Sequence, residues 1–337
     1  MLVAVIVNTV PPDAPPEGKD LLVQAAAVGG AIRRLGHDTV RLTATLDLGG
    51  LRRRLLRVHP GAVFNLVEEL DGRGSLIHLV PSLLESLAIP FTGSPAAPLF
   101  LTSHKIWTKK ILLGGGVRTP PWLEARARRL AGAVARRPPS SFIIKAVWEH
   151  ASFALDDGMV VREDSRARLR GRIDAAERKF GREMFAEGFI AGREFNISLL
   201  SRPSGVEVLP PAEIDFSDFP RGKPRIVGYR AKWEERSFEY IHTPRRFDFP
   251  ASDRPLLDRL GRAARACWDL FGLAGYARVD CRVDERGEAW VLEVNANPCL
   301  APDGGFAFAG ERSGRSYDEI IRSILDAARR KVTDKAG

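Results

Sequence analysis

The strongest constraint on the fold is a regular alternation of strand-like and helix-like segments in the first hundred residues. Short apolar runs alternate with longer runs of helical periodicity, and in chain order these are residues 3–7, 21–35, 39–42, 51–58 and 62–67. Parallel strands need a crossover connection, which is usually a helix. The alternation therefore predicts a parallel α/β sheet with crossover helices. We assign this sheet to a first domain at residues 1–102.

The rest of the chain predicts a mixed α+β organisation. Strand-like residues 142–147 and 158–161 precede a charged helical segment at 166–180. This order favours an antiparallel sheet with a helix on one face, which we assign to a central domain at residues 103–192. The last domain, residues 193–337, contains a long proline-rich excursion, a helix, a hairpin and a terminal helix. The predicted fold class is α/β, more exactly a multidomain α+β chain with an N-terminal parallel α/β domain.

Composition excludes several classes of protein. The 337 residues carry a net charge of +9, but the arginines are scattered without interleaved aromatics, so a solvated basic surface is favoured over a nucleic-acid groove. No apolar run approaches the roughly 20 residues needed to span a bilayer. The apolar start at residues 2–7 lacks a basic flank, and the three cysteines have no metal-ligand spacing. We expect a cytoplasmic location, with no nucleic-acid or membrane partner.

Two neighbouring apolar runs, residues 277–283 and 289–295, carry polar side chains that suggest a metal site. The polar turn between them contains glycine and predicts a hairpin. Pairing the runs brings Asp280 near Glu293 and Asn295, which alternation places on one face. Carboxylate and amide oxygens, together with phosphate oxygens, are the ligands that Mg²⁺ prefers. An ordinary hairpin with polar ends is the alternative interpretation of these residues alone.

Further motifs occur in a fixed order around this hairpin. They are residues 64–66, 90–94, 103–105, 143–145, 187–195, 231–233, 275–280 and 292–298. Together they resemble the ATP-grasp superfamily, most closely its D-alanine–D-alanine ligase branch, over about residues 62–328. The resemblance implies an ATP-grasp fold, with ATP and Mg²⁺, or Mn²⁺ in its place, as cofactors. It also implies a homodimer formed through the first domain.

The resemblance assigns phosphate and catalytic roles to three lysines and one arginine. Lys105 and Lys145 would neutralise phosphate oxygens, and Lys232 would close over the γ-phosphate. Arg278, two residues before Asp280, would stabilise an acyl phosphate or the oxyanion formed after attack. The alternatives are surface lysines and, for Arg278, a surface salt bridge.

The resemblance also implies a binding site for the nucleoside. Glu187 would face the adenine amino group, and Phe189 and Ile190 would supply apolar walls. Glu194 would accept hydrogen bonds from the ribose hydroxyls. Core packing of Phe189 and Ile190 is the alternative, and both interpretations can hold together.

The implied activity is that of an ADP-forming ligase that joins a carboxylate to an amine. The carboxylate would attack the γ-phosphate of ATP to give an acyl phosphate, and the amine would then displace phosphate to form an amide. A small-molecule kinase on the same fold is one alternative, and D-alanine–D-alanine ligase itself with altered substrate anchors is another. A nucleotide sensor without turnover is a further class, which the complete set of phosphate and metal positions disfavours.

Departures from the family pattern concentrate where the substrates would bind. Ala151 falls at the position of a substrate-orienting serine, for which Ser152 would need a change of register, and Trp233 replaces the partner tyrosine. Glu68 takes the place of a first-domain histidine. Gly304 falls where a serine would contact the carboxylate of the second substrate. The predicted substrate residues are Glu68, His78, Glu149, Ser152, Trp233, Cys299, Asp303 and Gly304.

These losses remove the anchors for a small D-amino acid, so the sequence favours a different substrate pair. The acidic residues Glu68 and Asp303, with Glu69, Asp71 and His78, could form a pocket for a cationic or polyamine-like nucleophile. Solvated turn residues are the alternative for Glu69 and Asp71. Cys299 either lines the pocket or acts as a small apolar spacer whose backbone amide faces an oxyanion.

Overall fold

The computed structural model describes residues 1–127, 129–132, 139–149 and 151–333. Its first layer is a three-stranded parallel sheet in the order β2-β1-β3. The elements of this part of the chain are β1 (Leu2–Asn8), α1 (Pro16–Arg34), β2 (Asp38–Ala44), α2 (Leu48–Val58), β3 (Ala62–Asn65), α3 (Leu79–Ser86), α4 (Ala96–Ser103) and α5 (Lys105–Gly114). The predicted parallel α/β sheet is confirmed.

The middle strand of this sheet explains why the sequence alternates as it does. Residues 3–7 of β1 are all buried, since helices cover both faces of a parallel sheet and its central strand is a continuous apolar run. Asp47 caps α2 by accepting a hydrogen bond from the backbone N–H of Gly50 at 2.7 Å. His59 then ends α2 in the left-handed region, which turns the chain back towards β3.

A four-stranded antiparallel sheet in the order β4-β7-β5-β6 follows. Its elements are β4 (Trp122–Glu124), β5 (Ser141–Ala146), β6 (Val160–Arg162), α6 (Arg166–Phe180) and β7 (Met184–Gly188). Helix α6 starts at the cap Ser165 and ends at Gly181, whose φ of 63° stops the helix. It packs Leu169 and Ile173 into the core of this sheet. The predicted antiparallel sheet with one covering helix is confirmed.

The third sheet contains six antiparallel strands, with β11-β10-β8-β12-β13 in order and β9 paired to β8. The elements are β8 (Arg193–Arg202), β9 (Gly205–Val208), β10 (Ala212–Ile214), α7 (Tyr229–Trp233), α8 (Phe238–Ile241), β11 (Arg245–Arg246), α9 (Arg254–Phe271), β12 (Tyr276–Val283), β13 (Ala289–Asn295), α10 (Gly305–Arg312) and α11 (Tyr317–Thr333). The proline-rich excursion therefore holds three short strands and two short helices. These elements are too short to show a strand or helix period in the sequence, so the sequence did not predict them.

The terminal helix ties the last sheet to the first. Ile320, Ile321 and Ile324 of α11 are buried in one apolar cluster with Val3 and Val5 of β1. The predicted domain boundaries at residues 102 and 192 stay predictions. No helix among the described residues is long and apolar enough to cross a membrane.

Candidate active site

The predicted hairpin is present and places its polar residues opposite one another. Strands β12 and β13 pair so that Asp280 faces Glu293 and Arg278 faces Asn295. The turn is held by Asp284, whose carboxylate accepts hydrogen bonds from the backbone N–H groups of residues 286 and 288 at 2.9 and 3.0 Å. A register shift interrupts the pairing between residues 280 and 281.

Asp280 is held by side chains on two strands. Arg278 donates from Nε to Oδ1 at 2.8 Å and from Nη2 to Oδ2 at 2.9 Å. Asn196, opposite Asp280 on β8, donates its side-chain amide to Oδ1 at 2.8 Å. Burial lowers the pKa of Arg278, but the charge and hydrogen bonds of Asp280 outweigh burial and raise that pKa above its usual value. The surface-salt-bridge alternative for Arg278 does not fit this buried position.

Sequence reasoning missed Asn196. The available signal was an amide side chain between the fully buried residues Phe195 and Ile197. Its partner is set by strand pairing, so a single sequence does not reveal it.

The hairpin offers a donor set that fits a divalent cation. Asp280 and Glu293 supply carboxylates, and Asn295 supplies a carboxamide oxygen that already accepts the N–H of Asn297 at 2.9 Å. Among the described residues, no three His, Cys, Asp or Glu side chains gather as a metal group. A cation here would therefore depend on the two carboxylates, the amide oxygen and ligand phosphates, the arrangement usual for Mg²⁺. Because Arg278 bonds to both oxygens of Asp280, it would share that carboxylate with the metal.

A small cavity of about 60 Å³ lies beside the hairpin and gathers five of the residues that the sequence assigned to the nucleotide. These are Lys145, Glu187, Phe189, Ile190 and Glu194. The apolar part of the lining includes Ile143, Leu155, Ile226 and Leu292. The lining thus combines apolar walls with a few convergent polar groups, as ligand pockets do.

Glu187 forms a buried ion-pair group with two lysines. Its carboxylate receives Lys145 Nζ at 2.6 Å and also contacts the ammonium of Lys109. Burial raises the pKa of Glu187, and the charges of Lys109 and Lys145 outweigh burial and lower it. Burial lowers the pKa of Lys109 to about 8. The Glu187 carboxylate, expected to face an adenine amino group, here faces two ammonium groups.

Lys109 was not predicted as a site residue. It is fully buried and also donates to Thr119 Oγ1 at 2.8 Å and to the carbonyl of Pro120 at 3.1 Å. A lysine one helical turn after Lys105 resembles an ordinary exposed helix residue in the sequence, so burial of its partner was the missing information.

Glu194 is paired with another residue that the sequence analysis missed, Arg282. Arg282 donates to Glu194 Oε2 from Nε at 3.1 Å and from Nη2 at 2.6 Å. Its guanidinium also donates to the carbonyls of Ile190, at 2.9 Å, and Arg225, and lies 4.8 Å from the centre of the Phe189 ring. Arg282 thus fixes the residue expected to bind ribose and forms one wall of the cavity. Residues 278, 280 and 282 alternate along β12, which was the usable signal.

The remaining two predicted lysines lie close to the metal hairpin. Burial lowers the pKa of both Lys105 and Lys232, and the negative charge of Glu293 acts on each in the opposite direction. The ammonium of Lys105 donates to the carbonyl of Glu149 at 2.5 Å. Lys105 and Lys232 are therefore both within electrostatic range of Glu293, and their assignment to a phosphate site stays a prediction.

Ser152 and Trp233 join two loops. Ser152 Oγ donates to the carbonyl of Val227 at 2.9 Å, and Trp233 Nε1 donates to the carbonyl of Ala151 at 3.0 Å. The segment that carries Lys232 is thereby fastened to the loop after β5. Ala151 and Ser152 have φ values of 58° and 60°, a left-handed conformation that glycine adopts more easily. His150 of the same loop lies outside the described residues.

An acidic group occupies the substrate end of the cleft. Cys299 Sγ donates to Asp20 at 3.4 Å, and Gln24 donates to Glu68 Oε1 at 3.3 Å while accepting the N–H of Leu300 at 2.6 Å. Burial, and then the charge of Asp20, raise the pKa of Glu68 to about 7. Burial, followed by the charges of Asp20 and Glu68, raises the pKa of Cys299 well above its usual value.

The other predicted substrate residues have different surroundings. Asp303 acts on the acidic group through its charge, raising the pKa of Asp20, and Gly304 precedes the first residue of α10. His78 binds the carbonyl of Ser75 through Nδ1 at 3.0 Å and packs edge-on against an aromatic ring. Glu149 pairs with an arginine at 2.9 Å. The structure brings Glu68, Cys299 and Asp303 together, while His78 and Glu149 make other contacts.

Asp71, also considered for this pocket, is a turn residue. It has a φ of 54° and pairs with Arg73 at 3.2 Å on the surface. The solvated-turn alternative is therefore the one that its surroundings favour.

Comparison with known proteins identifies the family. The family described as D-ala D-ala ligase C-terminus matches residues 158–326, which include β8, the metal hairpin and the start of α11. The chain belongs to the D-alanine–D-alanine ligase family. At the level of the family, the predictions of an ATP-grasp fold and of a ligase that forms carbon–nitrogen bonds with release of ADP are confirmed.

Relatives of this ligase family cover nearly the whole chain. A D-alanine–D-alanine ligase of Moorella thermoacetica is 28% identical over 316 residues, 91% of this chain and 94% of the relative. An uncharacterised protein of Sinorhizobium fredii is 30% identical over 327 residues, 95% of this chain and 90% of the relative. The crystal structure of the Bacillus anthracis D-alanine–D-alanine ligase complexed with ATP superposes with a TM-score of 0.73 at 20% identity, covering 99% of both chains.

Proposed function

We propose that the protein is an ATP-dependent carboxylate–amine ligase that works through an acyl phosphate, with a substrate pair other than two D-alanines. The observation that carries the proposal is the placement of Asp280 opposite Glu293, with Arg278 bonded to Asp280, Lys105 and Lys232 within electrostatic range of Glu293, and the cavity lined by Lys145 and Glu187 beside them. Cationic groups there can hold phosphates, and the arginine faces the place where negative charge develops on the substrate.

We assign ATP binding to both sides of the cavity. Phe189, Ile190 and the face of Arg282 enclose the base, and Glu194, fixed by Arg282, accepts hydrogen bonds from the ribose. Lys145 binds phosphate after exchanging its contact with Glu187, while Lys109 remains on Glu187 and keeps that carboxylate paired. Glu187 therefore positions Lys145 before ATP binds. This role is in addition to the adenine contact proposed from the sequence.

Asp280, Glu293 and Asn295 would hold Mg²⁺, or Mn²⁺ in its place. When bound, the ion supplies positive charge to the phosphate oxygens of ATP. Arg278 stabilises the acyl phosphate and the oxyanion formed after attack by the amine. The joined loops at Ser152 and Trp233 keep Lys232 over the cleft and exclude water from the acyl phosphate, which would otherwise hydrolyse.

The surroundings of the residues that depart from the family pattern support a substrate pair other than two D-alanines. The polar groups of Ser152 and Trp233 donate hydrogen bonds to loop carbonyls, and Gly304 has no side chain that could bind a substrate. Glu68 and Asp20 form an acidic end that suits an ammonium group. D-alanine–D-alanine ligation with altered substrate-binding residues is the second candidate, because two D-alanine–D-alanine ligases align with most of this chain. The homodimer and the cytoplasmic location stay predictions.

The experiment is an assay of ADP and hydroxamate formation. The protein is incubated with Mg-ATP and a panel of amino acids and amines, with and without hydroxylamine, which traps an acyl phosphate. We expect ADP with some mixture, and a hydroxamate of the carboxylate partner. A phosphorylated product without hydroxamate would support the kinase alternative, and preference for D-alanine pairs would support the second candidate.

A variant tests the metal assignment. Glu293→Gln combined with Asn295→Ala should abolish ADP formation while leaving the melting temperature near that of the parent. The matched control is Glu288→Gln on the same hairpin, where Glu288 pairs with an exposed arginine away from the cleft. Turnover retained by the double variant would overturn the assignment.

A further inference from the structure

Arg245 is a cationic residue that none of the roles above uses. Its neighbour on β11, Arg246, contacts the carboxylates of Glu213 at 3.2 Å and Asp215 at 3.8 Å. Arg245, by contrast, has no hydrogen bond or ion pair from its side chain to any of the residues described in the structure. A guanidinium has five N–H donors and favours bidentate partners. Arg245 is exposed, so its donors are open to water and to a ligand.

The position of Arg245 is the substrate end of the active site. Its side chain lies flat against the start of α10, since a Cβ atom built on Gly305 would lie 3.0 Å from Nε and 3.6 Å from Cζ. Burial and then the positive charge of Arg278 lower the pKa of Arg245, with Asp303 and Cys299 acting in the opposite direction. The charge of Arg278 therefore acts on the guanidinium of Arg245.

Two arginines so placed repel one another unless an anion lies near them. Arg278 already gives Nε and Nη2 to Asp280, whereas the guanidinium of Arg245 has no carboxylate partner among the described residues. Asp303 is the acidic residue that acts on Arg245, yet it forms no ion pair with it among the described residues. The arrangement therefore has more positive charge than its own side chains neutralise in contact.

We propose that Arg245 binds a side-chain carboxylate of the amine substrate, separate from the α-carboxylate that every amino acid carries, so that the ligase selects an acidic amino acid or a similar anionic amine. This inference rests on the proposed function. The ammonium group of such a substrate would lie towards Asp20 and Glu68, while its carboxylate lies towards Arg245. Cys299 is in reach of both ends, because it donates to Asp20 and acts electrostatically on Arg245. The pocket then suits a dipolar substrate better than the polyamine-like one considered from sequence alone.

Isosteric pairs of amino acids test the proposal, because aspartate and asparagine, or glutamate and glutamine, differ only in charge at nearly constant shape. Both enantiomers of each are supplied as amine substrates with Mg-ATP and a panel of carboxylates, and ADP release is measured. We expect the acidic member of at least one pair to have a KM about 10- to 100-fold below that of its amide, the range for a hydrogen bond to a charged group. Arg245→Gln should raise the KM of the acidic member by the same factor and leave that of the amide nearly unchanged.

The matched control is Arg246→Gln, which removes an equal charge from the same strand and should leave both KM values within about twofold. Arg245→Glu is the reversal variant, for which lysine or ornithine should become a better substrate than aspartate or glutamate. Retention of the parent preference by Arg245→Gln would overturn the inference while the ligase function stands.

Binding measured by calorimetry separates this inference from the proposed function. The parent, Arg245→Gln and Arg246→Gln are titrated with each acid and each amide in the presence of Mg-ADP. If no mixture yields ADP, the ligase proposal fails, but tighter binding of the acid that is lost in Arg245→Gln still supports the anion site. Equal affinities for acid and amide, or no binding of either, would overturn it.

Discussion

Replacing Glu68 by glutamine should stabilise the protein above neutral pH. The carboxyl group is half-buried and accepts a hydrogen bond from Gln24, and Asp20 adds a second negative charge nearby. Burial and that charge raise its pKa from 4.5 to about 7. The native state therefore binds more protons than the unfolded state between these two values, and the free energy of unfolding falls as pH rises through that interval.

The magnitude follows from the same values. A difference of one pKa unit corresponds to about 1.4 kcal/mol, so ionised Glu68 lowers the free energy of unfolding by about 3 kcal/mol above pH 7. Glutamine keeps the size of the side chain and an acceptor for Gln24 but carries no charge. We expect Glu68→Gln to match the parent near pH 4.5 and to exceed it by about 2 to 3 kcal/mol at pH 8.

The assay is urea unfolding of the parent and the variant at half-unit steps from pH 4.5 to 8.5, followed by near-ultraviolet circular dichroism. Asp71→Asn is the matched control, since Asp71 is an exposed carboxylate paired with Arg73 in the next turn of chain. Its difference from the parent should stay within about 0.5 kcal/mol throughout. If the difference between Glu68→Gln and the parent does not change with pH, the burial argument for Glu68 is wrong.

Three further changes test other parts of the site. Lys109→Met should lower the free energy of unfolding by about 2 to 4 kcal/mol, because it leaves Glu187 with one cation. Urea titrations should show that adding Glu187→Gln recovers part of this loss, and additive losses would contradict the pairing. Arg282→Met should raise the KM for ATP about tenfold through loss of the fixed Glu194, and an unchanged KM would exclude that role. Ala151→Gly should raise the melting temperature slightly, by relief of about 1 kcal/mol of left-handed strain; a lower melting temperature would refute it.

The fold was predictable where local pattern and tertiary environment agree. Strand β1 is apolar along its length because it is buried on both faces, and the hairpin is marked by alternation and a glycine turn. The short strands β10 and β11 were not predictable, since two or three residues carry no period. They depend on pairing with β8, which lies outside any sequence window.

The candidate site divides in a similar way. Asp280 and Glu293 could be read from spacing within one hairpin, but Asn196 and Arg282 gain their roles from partners that strand register supplies. Lys109 was hidden for a different reason, because a buried lysine and an exposed one look alike until the position of Glu187 is known. Partners distant in sequence are what pattern reasoning lacks.

The register shift between Asp280 and Cys281 makes the length of β13 as important as its residues. Cys281 pairs with Val291, so an uninterrupted ladder would set Asp280 opposite Leu292 and turn Glu293 to the other surface of the sheet. The extra residue lets Leu292 line the cavity beside Lys145 and Glu187 while Glu293 faces Asp280.

A deletion of a single residue there would carry Val294, now fully buried, into the cleft and send two polar side chains into the core. A homologue with a one-residue gap in this strand would therefore lack the proposed metal site even if an alignment still showed the glutamate and the asparagine in their columns.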